Sequence, residues 1–340
     1  MRIGQLAQTL AKLYLNPQTR KRAVLIRGAS GIGKTESVAQ LSEALAPHIP
    51  NWQPEIDIRL SQFDIVDFRG IPFIHEERTH WAPPAFFPKE GTAGIIMLDE
   101  IDHAPPSLQS VAYQLTNERR VGEAALDDGW MVLLACNRTE DRGVHFNIAA
   151  PLLNRVTLLD VATTFDDWLM YASARGKRPE IMSCVKSRVD LLHKFDPKAP
   201  SGTQFPTPRS WFAASDILEL DYEPAQRAEL LNGVLGMEAG NYLETHMRVY
   251  ERLPDMDRIQ KDPTGTPVPD ELDVLYCLAM GISARLTVDN FEPFWKYMKR
   301  MSRELQVLIV RLAYRRDKGI TSCTAFGEWA QANPDAFKRS

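Results

Sequence analysis

The chain has 340 residues, 44% of them hydrophobic and 25% charged, the profile of a soluble globular protein long enough for one large domain and a second. Lys and Arg number 40 against 44 Asp and Glu, a net charge of −4, so no global positive field draws the chain to nucleic acid. Cys136, Cys184, Cys277 and Cys323 lie far apart, in neither a disulfide framework nor a zinc pattern, and no apolar run reaches the roughly 18 residues of a membrane span.

The N-terminal "MRIGQLAQTLAKLYL" is amphipathic but broken by polar residues, without the apolar core of a signal peptide, so the chain is expected in the cytoplasm. "AVLIR" (23–27) is a short β-prone run, and "GASGIGKT" (28–35) follows it directly. Val38, Leu41 and Leu45 then recur at i, i+3 and i+7, the apolar face of a helix. Strand, glycine loop and helix in this order make a phosphate cradle. Gly28, Gly31 and Gly33 let the backbone curl so that the N–H groups of Gly28, Ala29, Ser30, Gly31, Ile32, Gly33, Lys34 and Thr35 can point inward at a nucleoside triphosphate. Lys34 can reach the β- and γ-phosphates, and the Thr35 hydroxyl can face Mg²⁺.

Residues 61–90 have a turn-rich centre, "DFRGIPFIHEERTHWAPPAF", flanked by short apolar stretches. Next, "GIIMLDEID" (94–102) places an unbroken apolar run, Ile95 to Leu98, ahead of two acids, as in a strand buried on both faces and ending at the ligand-binding edge of a parallel sheet. Asp99 is expected in the Mg²⁺ shell, and Glu100 is placed to act as general base on the attacking water. Asp102 reads as helix-capping or solvated. A third apolar run, "MVLLAC" (131–136), ends at Asn137, whose amide can orient the same water; alone, such an Asn is more often a turn residue.

In identity and order these segments resemble the AAA+ ATPases, and within them the MoxR branch of the dynein-related subfamily, over roughly residues 20–215. "WAPPAFFPKEGTAG" is similar to that branch's lead-in to Walker B. "LDEIDHAPPSLQSVAYQLTNERRVGE" resembles its Walker B strand, helix and hairpin, and "CNRTEDRGVHFNIAAPLLNRV" its sensor 1 segment and the run to the arginine finger. The resemblance implies a P-loop α/β fold with a five-stranded parallel sheet in the order 5-1-4-3-2, an α-helical lid, and a homo-oligomeric ring of usually six subunits. It makes Asn137 sensor 1 and Arg155 the finger that completes the neighbour's site. It also implies a hairpin inserted within residues 61–90, where Phe73, Ile74 and Trp81 are expected to pack against the domain; a partner-facing or pore-facing hairpin is the alternative.

Arg155 precedes "VTLLDV", a predicted last strand, so it belongs at the edge opposite the phosphates, which fits action in trans. Arg119, Arg120, Arg138 and Arg142 are lesser candidates for that role. In "PTPRSWFAASDIL" (206–218), Thr207 suits an N-cap and Pro208 the first helical position. Arg209 then stands against the helix dipole, which a nucleotide phosphate would offset; by resemblance it is sensor 2 on the lid.

From residue 163 the pattern is mostly helical, with apolar faces at Leu272, Leu275, Leu278 and Ile282 and at Leu305, Leu308, Ile309, Leu312 and Ala313, and a turn-rich break at 262–269. The expected division is a nucleotide-binding domain at 1–162, a helical lid at 163–255 and a helical extension at 256–340. The resemblance implies an ATP-hydrolysing, Mg²⁺-dependent, chaperone-like activator of a client protein, often working with a von Willebrand factor A-type partner. The alternatives are a nucleic-acid-directed AAA+ motor or loader, which the mild acidity argues against, a GTP-using restriction-type NTPase, and a nucleotide-gated scaffold, against which the Asp99–Glu100 pair speaks.

Overall fold

The apolar runs marked as strands become the interior of one parallel sheet. In the computed structural model, which describes residues 1–138, 146–200, 202–250 and 252–337, these strands are β1 (Val24–Arg27), β2 (Ile56–Arg59), β3 (Gly94–Asp99), β4 (Trp130–Cys136) and β5 (Thr157–Asp160). They hydrogen-bond in the order β5-β1-β4-β3-β2, the expected one, and every pairing is parallel. Parallel neighbours need long crossovers, and helices cover both faces of the sheet as a result. The main ones are α1 (Leu6–Leu15), α2 (Lys34–Leu45) and α3 (Pro106–Asn117).

Alternation along each strand divides the core in two. Leu25, Ile96, Leu98, Val132 and Leu134 pack with Leu108, Val111 and Leu115 of α3 on one face. On the other, Val24, Ile26, Ile95, Met97 and Leu133 pack with Leu6 and Leu10 of α1 and with Val38, Leu41 and Leu45 of α2. Every residue of β3 and β4 is buried, which is why these runs carry no polar alternation. Arg27 lies opposite Cys136 in the β1–β4 register, and Leu98 opposite Leu134 in the β3–β4 register. The loops after β1, β3 and β4 therefore meet at one edge, where open parallel sheets bind ligands.

The chain divides into two compact units, Met1–Thr164 and Phe165–Ser340. The second, among its described residues, is helical: α4 (Phe165–Ala174), α5 (Pro179–Ser187), α6 (Pro208–Ile217), α7 (Pro224–Leu235), α8 (Met237–Tyr250), α9 (Met256–Lys261), α10 (Leu272–Arg285), α11 (Phe291–Met298), α12 (Arg303–Arg316) and α13 (Thr324–Ala332). The spans 163–255 and 256–340 share one apolar cluster. Met280 of α10 and Leu312 of α12 belong to the same apolar cluster as Trp168, Ile181, Trp211 and Leu243. The face expected on α12 is present, with Leu305, Ile309, Leu312 and Ala313 buried. On α10, Leu278 and Ile282 are buried, whereas Leu272, at the first position, is 63% exposed. No helix among the described residues is long and apolar enough to cross a membrane.

One expectation fails at the inserted hairpin, Ile71–His75 paired with Arg78–Ala82. Phe73 and Ile74 do not pack it onto the domain; they are 47% and 82% exposed. The turn residues Glu76 and Glu77, both at positive φ, close the two strands tightly on each other. Alternate side chains of an uncovered ribbon face opposite sides, so neither Phe73 nor Ile74 gains a third layer to pack against. Trp81 alone of the three is half-buried, beside Glu123, whose carboxylate accepts the Trp81 N–H at 3.4 Å.

Candidate active site

The loop after β1 is anchored at both ends. The Gly28 N–H donates to the Cys136 carbonyl at the tip of β4 at 3.3 Å, and Ala29 and Ile32 are buried in the core cluster beneath. Gly31 and Gly33 turn the chain at φ 72° and 97°, a region that side chains other than glycine rarely enter. Gly33 is the N-cap of α2, so the first amides of that helix open onto the loop.

Lys34, the first residue of α2, is buried. Its Nζ donates to the carbonyls of Gly28 at 2.8 Å and Ala29 at 3.1 Å, and to Oδ1 of Asn137 at 2.9 Å. The ammonium thus ties the cradle to the tip of β4. Beside it, the Thr35 hydroxyl donates to Oδ2 of Asp99 at 2.8 Å, while Oδ1 of Asp99 accepts the Glu100 N–H at 2.8 Å. A hydroxyl and a carboxylate meeting next to a phosphate loop fit the needs of Mg²⁺, which takes one or two protein oxygens and fills its octahedron with phosphate and water.

Glu100 sits at φ 56°, ψ 41°, a left-handed backbone that costs a residue with a side chain about 1–2 kcal/mol. Strain of this kind collects at functional sites, where it aims a side chain. Nearby on β2, the Asp57 carboxyl is held above the ordinary carboxylate range, first by partial desolvation and then by the negative charges of Asp99 and Glu100. The edge is therefore rich in negative charge, a setting that favours a divalent cation. Asp57 carried no sequence signal, because its neighbourhood to Asp99 arises from β2–β3 pairing.

Asp102 departs from expectation. It is 5% exposed rather than solvated, and the residue that caps its short helical turn is Glu100. Its Oδ2 accepts the Asn137 N–H at 3.3 Å, and its carbonyl accepts the Phe146 N–H at 2.7 Å. It links the turn bearing Glu100 to the strand tip bearing Asn137, a role invisible to local pattern because the two lie 35 positions apart.

The site thus gathers Lys34, Thr35, Asp99, Glu100 and Asn137 at one edge. Arg155 is at the other, just before β5, where its guanidinium rests on Tyr113 and Asn117 of α3. Arg209 belongs to the second unit; it is exposed in the first turn of α6 and makes no hydrogen bond or ion pair among the described residues. Thr207 caps that helix as expected, with reciprocal bonds to Ser210 at 3.1 and 2.8 Å and Pro208 at the first position. Arg119 donates to the carbonyls of Asp127 and Trp130 within its own unit, Arg120 pairs with Glu118, and Arg138 donates to the Val161 carbonyl. Arg142 lies outside the described residues.

Residues 23–155 match the sequence model of the AAA domain, dynein-related subfamily. No curated protein matches the chain. Among solved structures it is similar to a candidate ATPase of Cytophaga hutchinsonii at 12% identity, covering 92% of this chain and 81% of that one with a TM-score of 0.37. It is also similar to NtrX of Brucella abortus at 12% identity, covering 97% and 67% with a TM-score of 0.41. NtrX from the same organism in complex with ADP gives 12% identity, 96% and 68% coverage and a TM-score of 0.34. The family match, the 5-1-4-3-2 sheet and the phosphate loop facing an Asp-Glu strand end agree: residues 23–155 are similar to the AAA domain of the dynein-related subfamily.

Proposed function

We propose that the chain is a MoxR-type ring ATPase that couples ATP hydrolysis to remodelling or activation of a partner protein. The observation that carries this reading is the separation of Arg155 from the phosphate loop. The loop follows the C-terminal end of β1, whereas Arg155 precedes β5, a parallel neighbour of β1. An arginine so placed cannot serve its own site, and a neighbour in a ring gives it one.

In this mechanism the loop amides of 28–35 and the Lys34 ammonium bind the triphosphate. Thr35 and Asp99 would hold Mg²⁺, which when bound neutralises charge on the β- and γ-phosphates. Glu100 takes a proton from the attacking water as its oxygen bonds to the γ-phosphorus and the bond from that phosphorus to the β–γ bridging oxygen breaks, releasing ADP and phosphate. Asn137 orients that water through its amide, and Arg155 of the adjacent subunit stabilises charge on the transferred group. Arg209, as sensor 2, links nucleotide state to the helical unit. The family resemblance supports a client protein and a von Willebrand factor A-type partner.

The test is the solution mass of Glu100→Gln by light scattering, with and without Mg-ATP. The variant keeps the loop and loses the base, so it should bind nucleotide without turnover and move from a small species to a hexamer-sized particle. A monomer in both conditions, with or without candidate partner protein, overturns the ring and the finger. Turnover stimulated by nucleic acid, with the steep salt dependence of phosphate contacts, would instead identify a nucleic-acid motor. Turnover of GTP in preference to ATP would identify the restriction-type alternative.

A further inference from the structure

We propose that Tyr113 and Asn117 are positioning residues that hold Arg155 in the orientation from which it serves a neighbouring subunit; the inference rests on the finger reading of Arg155. The three residues come from two separate parts of the chain. Arg155 follows the short helix Ala150–Leu153, and Tyr113 and Asn117 lie on α3. Spaced four apart, they sit one turn above the other on a single face.

Two hydrogen bonds and an aromatic ring hold the guanidinium. Its Nε donates to Oδ1 of Asn117 at 2.7 Å, and its Nη1 donates to the Pro151 carbonyl at 3.0 Å. The central carbon lies 4.7 Å from the centre of the Tyr113 ring, within the range of attraction between a cation and an aromatic face. The third nitrogen, Nη2, makes no hydrogen bond among the described residues. Three of its five N–H donors, both on Nη2 and one on Nη1, are therefore left for a further acceptor.

The physical reason for such a rest is entropic. An arginine side chain has many rotamers, and a charge that must meet a phosphoryl group across an interface loses effective concentration in each unproductive one. A ring under the guanidinium plane and an acceptor at Nε fix both its tilt and its rotation. Among the described residues only a carbonyl and an amide oxygen are bonded to it, so no carboxylate among them offsets its positive charge. A carboxylate in place of Asn117 would neutralise it.

The consequence for assay is a defect that acts in trans. Tyr113→Leu removes the aromatic face and Asn117→Ala removes the acceptor; each should lower kcat by about 3- to 10-fold with the KM for ATP nearly unchanged. Tyr113→Phe keeps the ring face and should restore turnover. Asn117 is exposed, so Asn117→Ala keeps the fold even if Tyr113→Leu does not, and melting curves identify any unfolded variant. The deciding experiment mixes each variant with Lys34→Ala subunits, which lack a working site but keep Tyr113, Asn117 and Arg155. Arg155→Ala mixed with Lys34→Ala is the control for the finger itself.

Regained turnover per intact site in both the control and the variant mixtures supports the proposal. Regain in the control alone, or wild-type turnover of Tyr113→Leu and Asn117→Ala by themselves, overturns the positioning role and leaves the finger standing. Loss in the control mixture in strict proportion to the variant overturns the finger, and the positioning role with it.

Discussion

Substituting Gly28 by Ala tests the packing of the phosphate loop against the sheet. A Cβ at this position would stand 2.7 Å from Cδ1 of Ile32, 2.8 Å from Cγ2 of Val161 and 2.8 Å from the Val161 carbonyl oxygen. The first two atoms end side chains and can rotate away. The third is backbone held in place, because the Val161 N–H donates to the Arg27 carbonyl at 2.8 Å. The loop must therefore move rather than the sheet, at an overpacking cost of about 1–3 kcal/mol. Movement at Gly28 also displaces its carbonyl from Lys34 Nζ, so the loss appears in nucleotide binding. If that cost falls wholly on the bound state, affinity drops about 5- to 150-fold. Titration with a fluorescent ATP analogue, alongside thermal unfolding, measures the two components. Adding Ile32→Val removes Cδ1 but leaves the carbonyl, so the double variant should recover only part of the loss. Wild-type affinity and melting in Gly28→Ala, or full recovery in the double variant, would refute the close approach to Val161.

Two further outcomes follow from the site and the helical unit. Asp99→Asn removes a negative charge from the oxygen pair shared with Thr35, so binding of nucleotide without metal should stay near wild type while the gain on adding Mg²⁺ largely disappears; calorimetry at matched metal concentrations separates the two. His246 is buried, with Nε2 2.8 Å from the Ser183 hydroxyl and 3.4 Å from Cys277 Sγ, and its ring is stacked with Tyr242. Burial lowers its pKa below the ordinary histidine value, against the opposing pull of Asp273 and Glu180. The unfolded chain therefore binds the proton more readily. The stability contributed by neutral His246 is present above about pH 6.5 and is lost as pH falls from there through the lowered folded value. Melting temperatures of wild type and His246→Gln, compared from pH 8 to about pH 5, should converge as pH falls; parallel curves would count against this titration.

The nucleotide-binding half of the chain was readable because its signals are local. A strand buried on both faces shows as an unbroken apolar run, a backbone that must turn at positive φ shows as glycine, and charge at a strand end shows as the acids beside it. Ile95 to Leu98 ahead of Asp99, and Met131 to Cys136 ahead of Asn137, needed no knowledge of the fold to be noticed. Strand order is different in kind. It came from family resemblance, because the pairing partner of a parallel strand is distant in sequence and leaves no periodic mark.

Tertiary structure decided whatever depends on which distant segments touch. Asp102 looks like any turn acid until β4 arrives beside it and buries it against the Asn137 amide. Asp57 has its pKa raised by partial desolvation and then by the charges of Asp99 and Glu100, which the pairing of β2 with β3 brings near. Phe73 and Ile74 were expected to pack the hairpin onto the domain, yet a ribbon folded tightly on itself leaves them without a layer to cover them. Arg155 could be placed at the far edge from its order before β5, but its rest on Tyr113 and Asn117 required α3 to lie against the Ala150–Leu153 segment. Sequence by itself determined the chemistry of the cradle, because each of its parts is carried by a few consecutive residues. Burial, charge environment and side-chain support were settled only by packing between elements, since those energies belong to pairs of residues that the chain keeps apart.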